Sequence, residues 1–372
     1  MHSSAGGYGA DRQLALLASG LRDFRAEAVL PERGELAGVL EAAGVGVHIR
    51  PLAVIRRSTL TPGAMASTAG RALLDCGGLS RLARGRRAVL VHSNTSVIVA
   101  AGAAARLAGV PHVAHVREIY AGWARGWPAW RSALVAGAST LACVSAATRA
   151  QFAPGAPARV VLDALPPRPG PLERTRARAL LGLAPDAFVC AVLGRISPWK
   201  GQAVLAQALA QPALRDRAAV GLVAGDVWPG EESRETLLRA EATRCGLGER
   251  WRMLGYREDI ETVLGAADVV VVPSTRPEPL GNSALEAAAA GRCVVVAAHG
   301  GLPEIVAEGR TGRLVAPDDP AGLARILDEL AGDPAQRERL GRAAAADVRE
   351  RFAPARLVDA VEEIYREVLG QG

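Results

Sequence analysis

The stretch Arg276 to Glu304, RPEPLGNSALEAAAAGRCVVVAAHGGLPE, decides the fold. It follows Val269 to Val272, an all-valine run closed by Pro273. A short β-branched run ended by proline predicts a strand buried on both faces. A loop holding Glu278 and Gly281-Asn282 comes next, then the Ala-rich run Ser283 to Ala290, whose helix propensity is high. Gly291 ends it, and Cys293 to Ala297 is a second apolar run. Strand, loop, helix, strand is the repeating unit of a parallel α/β sheet. Ligands of such sheets gather at the carboxyl ends of strands, against helix N-termini, and the loop Glu278 to Ser283 falls there. The backbone N–H groups of Leu280, Gly281, Asn282 and Ser283 are expected to face a phosphate, with Gly281 letting the backbone come close.

Glu278 and Glu286 are eight residues apart. At helical rise that is ~12 Å or more. A glycosidase carboxylate pair needs roughly 5 to 10 Å, so that chemistry does not fit. The spacing suits two ends of one long ligand: a sugar at Glu278, a diphosphate at the helix tip and a ribose at Glu286.

A second motif is Gly194-Arg195-Ile196-Ser197-Pro198-Trp199-Lys200-Gly201. Two cations five residues apart flank a loop that leads into a helix. Arginine grips a diphosphate through two N–H bonds and lysine adds a compact charge. The Walker pattern GxxxxGK[ST] is absent. The basic residues are otherwise all arginine: Lys200 is the only lysine in the chain.

Glu278-x7-Glu286, followed by GGLPE at 300–304 and TGRLVAPDDP at 311–320, resembles the nucleotide-binding half of retaining GT-B glycosyltransferases of family 4, the glycosyl transferases group 1. The resemblance implies an α/β chain of two Rossmann-like, doubly wound parallel-sheet domains facing a cleft. It implies transfer of a sugar from a nucleotide-diphosphate sugar to an acceptor hydroxyl, with retention of configuration. Glu278 then holds the sugar, Glu286 the ribose, and Arg195, Lys200 and the Leu280–Asn282 backbone the donor diphosphate. Arg257, in GYRED at 255–259, is a candidate contact for the base, while Asp259 is expected to cap the following helix. Gly7, in SAGGYGAD at 4–11, resembles the glycine-rich loop that lets the acceptor-side domain approach the donor. Only Met1-His2-Ser3 precede that loop, so either the sheet lacks most of its first strand or the chain starts upstream. His115, at the end of a strand in HVRE, matches the histidine that family 4 enzymes place beside the donor sugar. No metal or other cofactor is expected, because no DxD-type acidic cluster stands where a metal–diphosphate site needs one.

At 372 residues the chain suits two domains. The pattern of short apolar runs and helices alternates from Ala26 onward, including strands at Ala26–Leu30, Val45–Ile49, Ala88–Val91, His112–Val116 and Thr140–Val144. The stiff stretch PPRPGP at 166–171 is the expected boundary. The resemblance implies that residues 1–165, with a final helix at about 355–372 packing back, form the acceptor-side domain, and 166–354 the nucleotide-sugar domain. A net charge of +6 favours acidic ligands or an anionic surface without naming one. No nucleic-acid partner is expected. The acceptor is a glycan, a glycolipid or a small molecule.

The five cysteines are dispersed and lack a CxxC pair, which reads as reduced thiols in a cytoplasmic protein. No transmembrane run and no signal peptide are expected. Residues 120–131, YAGWARGWPAWR, hold three of the six tryptophans. They read either as an aromatic cluster packing a loop or as a patch for an anionic membrane surface, peripheral on its inner face. Two rivals remain: a nucleotide-sugar epimerase of the same fold, and a non-catalytic sugar-nucleotide-binding module.

Overall fold

The computed structural model describes residues 1–7, 9–55, 62–120 and 126–370. The chain divides into two compact units, Met1–Pro166 with Phe352–Gly372, and Pro167–Arg351. The break falls between Pro166 and Pro167, inside PPRPGP.

The first unit is built on parallel strands. β1 (Glu27–Leu30) pairs with β2 (Gly46–Ile49). A separate sheet runs β3 (Val91–Ser93), β4 (His112–Val116), β5 (Thr140–Cys143) and β6 (Ala158–Val160), in that order. The segment Met1-His2 lies between β1 and β3: the His2 N–H donates to the Val29 carbonyl at 3.0 Å and the Asn94 N–H to the Met1 carbonyl at 2.9 Å. The final helix, Pro354–Val368, packs Leu357, Val358, Val361 and Ile364 against Leu17, Val113 and Ala142 of this unit. Its apolar stripe at helical spacing explains that burial.

Two expectations shift here. Hydrophobicity alone puts a strand at Ala88–Val91, whereas the paired residues are Val91–Ser93. The polar pair His92-Ser93 is accommodated because each finds a partner: His92 Nδ1 bonds the Tyr365 hydroxyl at 2.5 Å and Ser93 Oγ the His112 ring at 2.9 Å. Trp123 and Arg125 lie outside the described residues. Trp127 and Trp130 are half-buried and pack beside Phe152, Leu134 and Val116, and Trp127 stacks on Tyr120 with ring centres 4.4 Å apart.

The second unit holds β7 (Val189–Leu193), β8 (Val220–Ala224), β9 (Trp251–Met253), β10 (Val269–Val272), β11 (Cys293–Ala297) and β12 (Arg313–Val315) in one parallel sheet, ordered β12-β11-β10-β7-β8-β9. β7, β8, β10 and β11 are buried along their whole length, as near-continuous Val/Ala/Leu runs require. The strand order reverses between β7 and β10, and a ligand crevice opens at that switch point. No described helix is long and apolar enough to cross a membrane.

Candidate functional site

β7 feeds the loop Gly194–Gly201, which opens the helix Gln202–Leu209. β10 feeds the loop Pro273–Gly281, which opens the helix Asn282–Ala289. Because β7 and β10 are hydrogen-bonded neighbours running the same way, both loops leave the sheet at adjoining points on one edge. Two glycines then close the gap. Gly201 has φ +73°, and a Cβ there would stand 1.8 Å from the Pro273 carbonyl oxygen. Gly300 has φ +62°, and its Cβ would stand 2.5 Å from the Glu278 carbonyl oxygen. The Lys200 loop, the Glu278 loop and the Gly300-Gly301 turn are therefore drawn together by backbone contact that no side chain could share.

This packing brings two predicted residues into direct contact. Lys200 Nζ donates to both Glu278 carboxylate oxygens, at 2.9 and 2.8 Å. The Ser274 hydroxyl donates to the same carboxylate. Glu278 is only 4% exposed, so its charge needs these partners. The sequence reading put Lys200 and Glu278 at opposite ends of a ligand; here the two side chains pair. Ser274 is in turn fixed by its backbone, whose carbonyl accepts from His299 Nε2 at 2.7 Å.

Around the pair the site is polar and incompletely satisfied. The Ser197 and Ser283 hydroxyls are buried without a protein partner. Buried orphaned hydroxyls are uncommon and call for an explanation such as a ligand or an ordered water. Ser197 lies on the loop after β7, and Ser283 in the first turn of the helix that the Glu278 loop opens. Arg195 stacks its guanidinium on Trp228, 3.5 Å from the ring centre. The helix Asn282–Ala289 presents its first N–H groups at the site, since an α-helix supplies them no internal acceptor. Gly281 does approach closely, but toward Leu302: a Cβ would meet Leu302 Cδ2 at 2.4 Å. Leu280 is buried beside it. Glu286, one helical turn further in, lies 3.6 Å from Arg168 Nε, and Arg168 also bonds Glu261 at 3.2 Å.

Arg257 binds Asp259 through two bonds of 2.9 and 2.6 Å. Asp259 occupies the N-cap position of the next helix yet makes no side-chain cap bond, because the arginine occupies its carboxylate. The bonded arginine holds that carboxyl below its usual range.

His115 and Gly7 belong to the other unit. His115 is fully buried within β4, its ring stacked on His92 with centres 5.5 Å apart and both nitrogens without partners. Burial holds its pKa well below the usual histidine range. Gly7 faces the Glu35 carboxylate, whose oxygen would lie 2.8 Å from a Cβ. Ser274, His299 and Arg168 were missed by sequence reasoning. Ser274, two residues past the strand end, carried a positional signal; His299 and Arg168 carried none. Among the described residues, no three His, Cys, Asp or Glu side chains are grouped so as to hold a metal ion.

Comparison with known proteins bears on the same unit. A family model described as glycosyl transferases group 1 matches residues 173–347. The D-inositol 3-phosphate glycosyltransferase of Streptomyces avermitilis is 42% identical over 193 residues, which is 50% of this chain and 40% of that protein. The Streptomyces scabiei protein of the same name is 40% identical over 213 residues, 55% of this chain and 46% of its own length. The matched part thus spans less than half the length of these curated relatives. Among solved structures, Anabaena Alr3699/HepE in complex with UDP and glucose superposes with a TM-score of 0.81 at 26% identity, over 98% of both chains. WaaG, a glycosyltransferase involved in lipopolysaccharide biosynthesis, superposes with a TM-score of 0.69 at 16% identity, over 96% of this chain and 98% of that one, which speaks to the fold alone. That fold is GT-B, built from two Rossmann-like parallel-sheet units.

Proposed function

Because a family model described as glycosyl transferases group 1 matches residues 173–347, we propose that this chain is a glycosyltransferase. It moves a sugar from a nucleotide-diphosphate sugar to an acceptor hydroxyl, retains the anomeric configuration and needs no metal. The observation that carries the reading is the Lys200–Glu278 pair, with the orphaned Ser197 and Ser283 hydroxyls on the segments that follow β7 and β10. A uridine nucleotide is favoured, since the Anabaena protein has been solved with UDP and with UDP-glucose.

In this mechanism a donor diphosphate beside Lys200 competes with Glu278 for the ammonium. Lys200 and Arg195 neutralise the diphosphate, and the Ser197 and Ser283 hydroxyls and the Asn282 N–H donate to its oxygens. Glu278, released from Lys200, accepts from the sugar hydroxyls and offsets positive charge at the anomeric carbon. Glu286 accepts from the ribose hydroxyls, and Arg257 borders the base. The bond from the anomeric carbon to the diphosphate oxygen breaks while the acceptor oxygen bonds to the same face. The acceptor proton passes to the leaving phosphate oxygen. Positioned cations that hold the departing diphosphate supply the main stabilisation, and two such cations make a metal dispensable. His115 receives no step in this scheme, because its buried ring offers no open face. The acceptor is a hydroxyl of a glycan, a glycolipid or a small molecule.

The test is thermal shift and product analysis against a panel of UDP-, GDP- and ADP-sugars, with and without EDTA. A donor that raises Tm and loses its sugar to an added acceptor, with EDTA present, supports the reading. An isomerised donor without transfer makes the protein an epimerase. Binding without turnover makes it a sugar-nucleotide-binding module. Loss of activity on chelation, restored by magnesium or manganese, removes the metal-free claim.

A further inference from the structure

The sheet of residues 167–351 has charged side chains at both ends. Lys200 and Glu278 stand where its strands finish. Where the strands begin, four arginines gather on one carboxylate. Asp268 is buried and immediately precedes β10. Its Oδ2 accepts from Arg178 Nη2 and from the Val189 N–H, both at 2.8 Å. Its Oδ1 lies 2.8 Å from Arg174 Nη1 and 3.7 Å from Arg337 Nη2. Arg292 immediately precedes β11, and because Val269 is paired with Cys293, it enters the sheet beside Asp268.

The buried pair is matched. Arg178 gives its other N–H groups to the Ala266, Ala184 and Pro185 carbonyls. The excess lies in the more exposed arginines around it. Among the described residues, no carboxylate other than Asp268 pairs with any of the four. The nearby acids are committed elsewhere: Glu173 accepts from the Thr175 and Arg176 N–H groups, Asp333 from the Gln336 N–H, and Glu338 pairs with Arg342. Arg337 gives Nη1 to the Leu330 and Ala331 carbonyls. Arg292 is the least satisfied. It is half-buried, and its one acceptor among the described residues is the Ala290 carbonyl, 3.4 Å from Nε. Neither of its terminal amino groups has a protein partner. Burial, and after it the Arg174 charge, push its pKa down.

A guanidinium drawn out of water needs acceptors, and like charges held together need a counter-charge. An oxyanion carrying two charges supplies both, since the planar fork of arginine matches its oxygens. We propose that Arg292 and Arg174, with Arg337 adding charge, bind a phosphate-type dianion at the amino ends of β10 and β11. The ligand is inorganic phosphate or the phosphate of a phosphomonoester, which present the same tetrahedral oxygens. Arg292 donates from its two terminal amino groups, and Arg174 from N–H groups not turned to Asp268. The anion offsets the excess that Asp268 alone leaves, and it ties the entry of β11 to the helix Arg174–Leu180. Strands of four or five residues at ~3.3 Å each put about 15 Å between this place and the Lys200 loop, so one phosphate cannot serve both. The inference goes beyond the function proposed above and does not depend on it.

The test is thermal melting of the full chain in sodium phosphate against sodium chloride of equal ionic strength, for wild type, Arg292→Met and Lys200→Ala. At 20 mM, phosphate should raise the Tm of wild type and of Lys200→Ala by about 2 °C or more. Arg292→Met should lose that rise. In phosphate-free, low-salt buffer the same variant should melt about 1–3 °C above wild type, because it removes one of the crowded charges. A second arm replaces phosphate with glycerol 1-phosphate. A larger Arg292-dependent rise there assigns the site to a phosphomonoester, and a smaller one to the free ion. No rise in wild type overturns the proposal, as does a rise that Arg292→Met retains. A rise lost in Lys200→Ala places the phosphate at the donor loops and overturns it too. So does an Arg292→Met chain that fails to fold or melts below wild type without phosphate, since Arg292 is then already satisfied by the protein.

Discussion

The sheet of residues 167–351 is continuous and its buried charges are matched. Arg178 and Asp268 meet at 2.8 Å beneath β7 and β10, and Lys200 covers Glu278 at the strand ends. The sheet of residues 1–166 is interrupted, and its interior holds polar groups of another kind. His92 and His115 stack, with both nitrogens of His115 and Nε2 of His92 unpartnered, and the Met1 amine is buried against a carbonyl. Ion pairs satisfy a low-dielectric interior by mutual neutralisation, whereas lone basic groups satisfy it only by giving up their proton. One unit is therefore set by geometry at its glycines, and the other is sensitive to proton concentration.

The strongest way to break the comparison is at Gly201. Alanine there needs φ +73° and a Cβ placed 1.8 Å from the Pro273 carbonyl. Gly201→Ala should cost more than about 4 kcal/mol, in the range reserved for severe backbone and steric conflict. Denaturant unfolding followed at the six-stranded unit checks this. A near-neutral result would mean that backbone contact does not hold the two loops together.

The first unit should break with acid instead. The Met1 amine is lowered from 8.0 to about 5 by burial, and His112 is lowered to about 4 by burial. His2, His92 and His115 are also held below their ordinary value, in each case chiefly by burial. The unfolded chain binds the amine proton between pH 8 and 5 and the native chain does not, so stability rises with pH across that window. It is lost progressively as pH falls from 8 to 5, by up to about 4 kcal/mol for the amine alone. The amine's charge is felt by His2, His92 and His112. Arg117 adds repulsion at His2 and His92, and Asp11, 2.6 Å from His2, opposes the loss there. Chemical denaturation at pH 8, 7, 6 and 5 reads the slope. Adding residues before Met1 should remove the amine's share above pH 6.5 and leave the histidine share below it.

The contrast also separates what the sequence made legible from what it hid. The valine run at 269–272, the alternation around it and the proline stretch at 166–171 write strands and a domain break in local chemistry, and the strand Cys293–Ala297 has the expected bounds. Lys200 and Glu278 were both legible as candidates, because each sits in a distinctive loop. Their contact was not, because it depends on Gly201 and Gly300 meeting backbone from elsewhere in the chain. In the first unit β3 was misplaced because its residues are polar and are satisfied by Tyr365 and His112, partners remote in sequence. The burial of His115 was hidden likewise, since a histidine in an apolar strand does not announce which ring will stack on it.

Catalysis sharpens the comparison next. Glu278→Gln keeps the shape that Ser274 and Lys200 hold but removes the charge, and should lower transfer by about 100-fold, the loss of one transition-state stabiliser. Lys200→Ala should lower transfer as far. It also leaves a carboxylate that is 4% exposed without its cation, so it should lower Tm more than Glu278→Gln does. Steady-state kinetics and thermal melts on both variants decide it. Wild-type turnover in either removes that residue from the mechanism.

The smallest effect is a glycine in the first unit that should answer opposite to Gly201. Gly38 is exposed in the middle of the helix Glu35–Ala42, and a Cβ there meets nothing within 4 Å. Its φ is not in the left-handed region. Gly38→Ala therefore removes unfolded-state freedom without strain and should stabilise by about 0.5–1 kcal/mol. At roughly 2–4 °C per kcal/mol for a unit of this size, Tm should rise by about 1–4 °C. Activity should not move, because the side chain points to solvent. A stabilising Gly38→Ala beside a crippling Gly201→Ala would place the constraint in the site loops of the second unit. A destabilising Gly38→Ala would mean that the first unit's surface, and not only its interrupted interior, is strained.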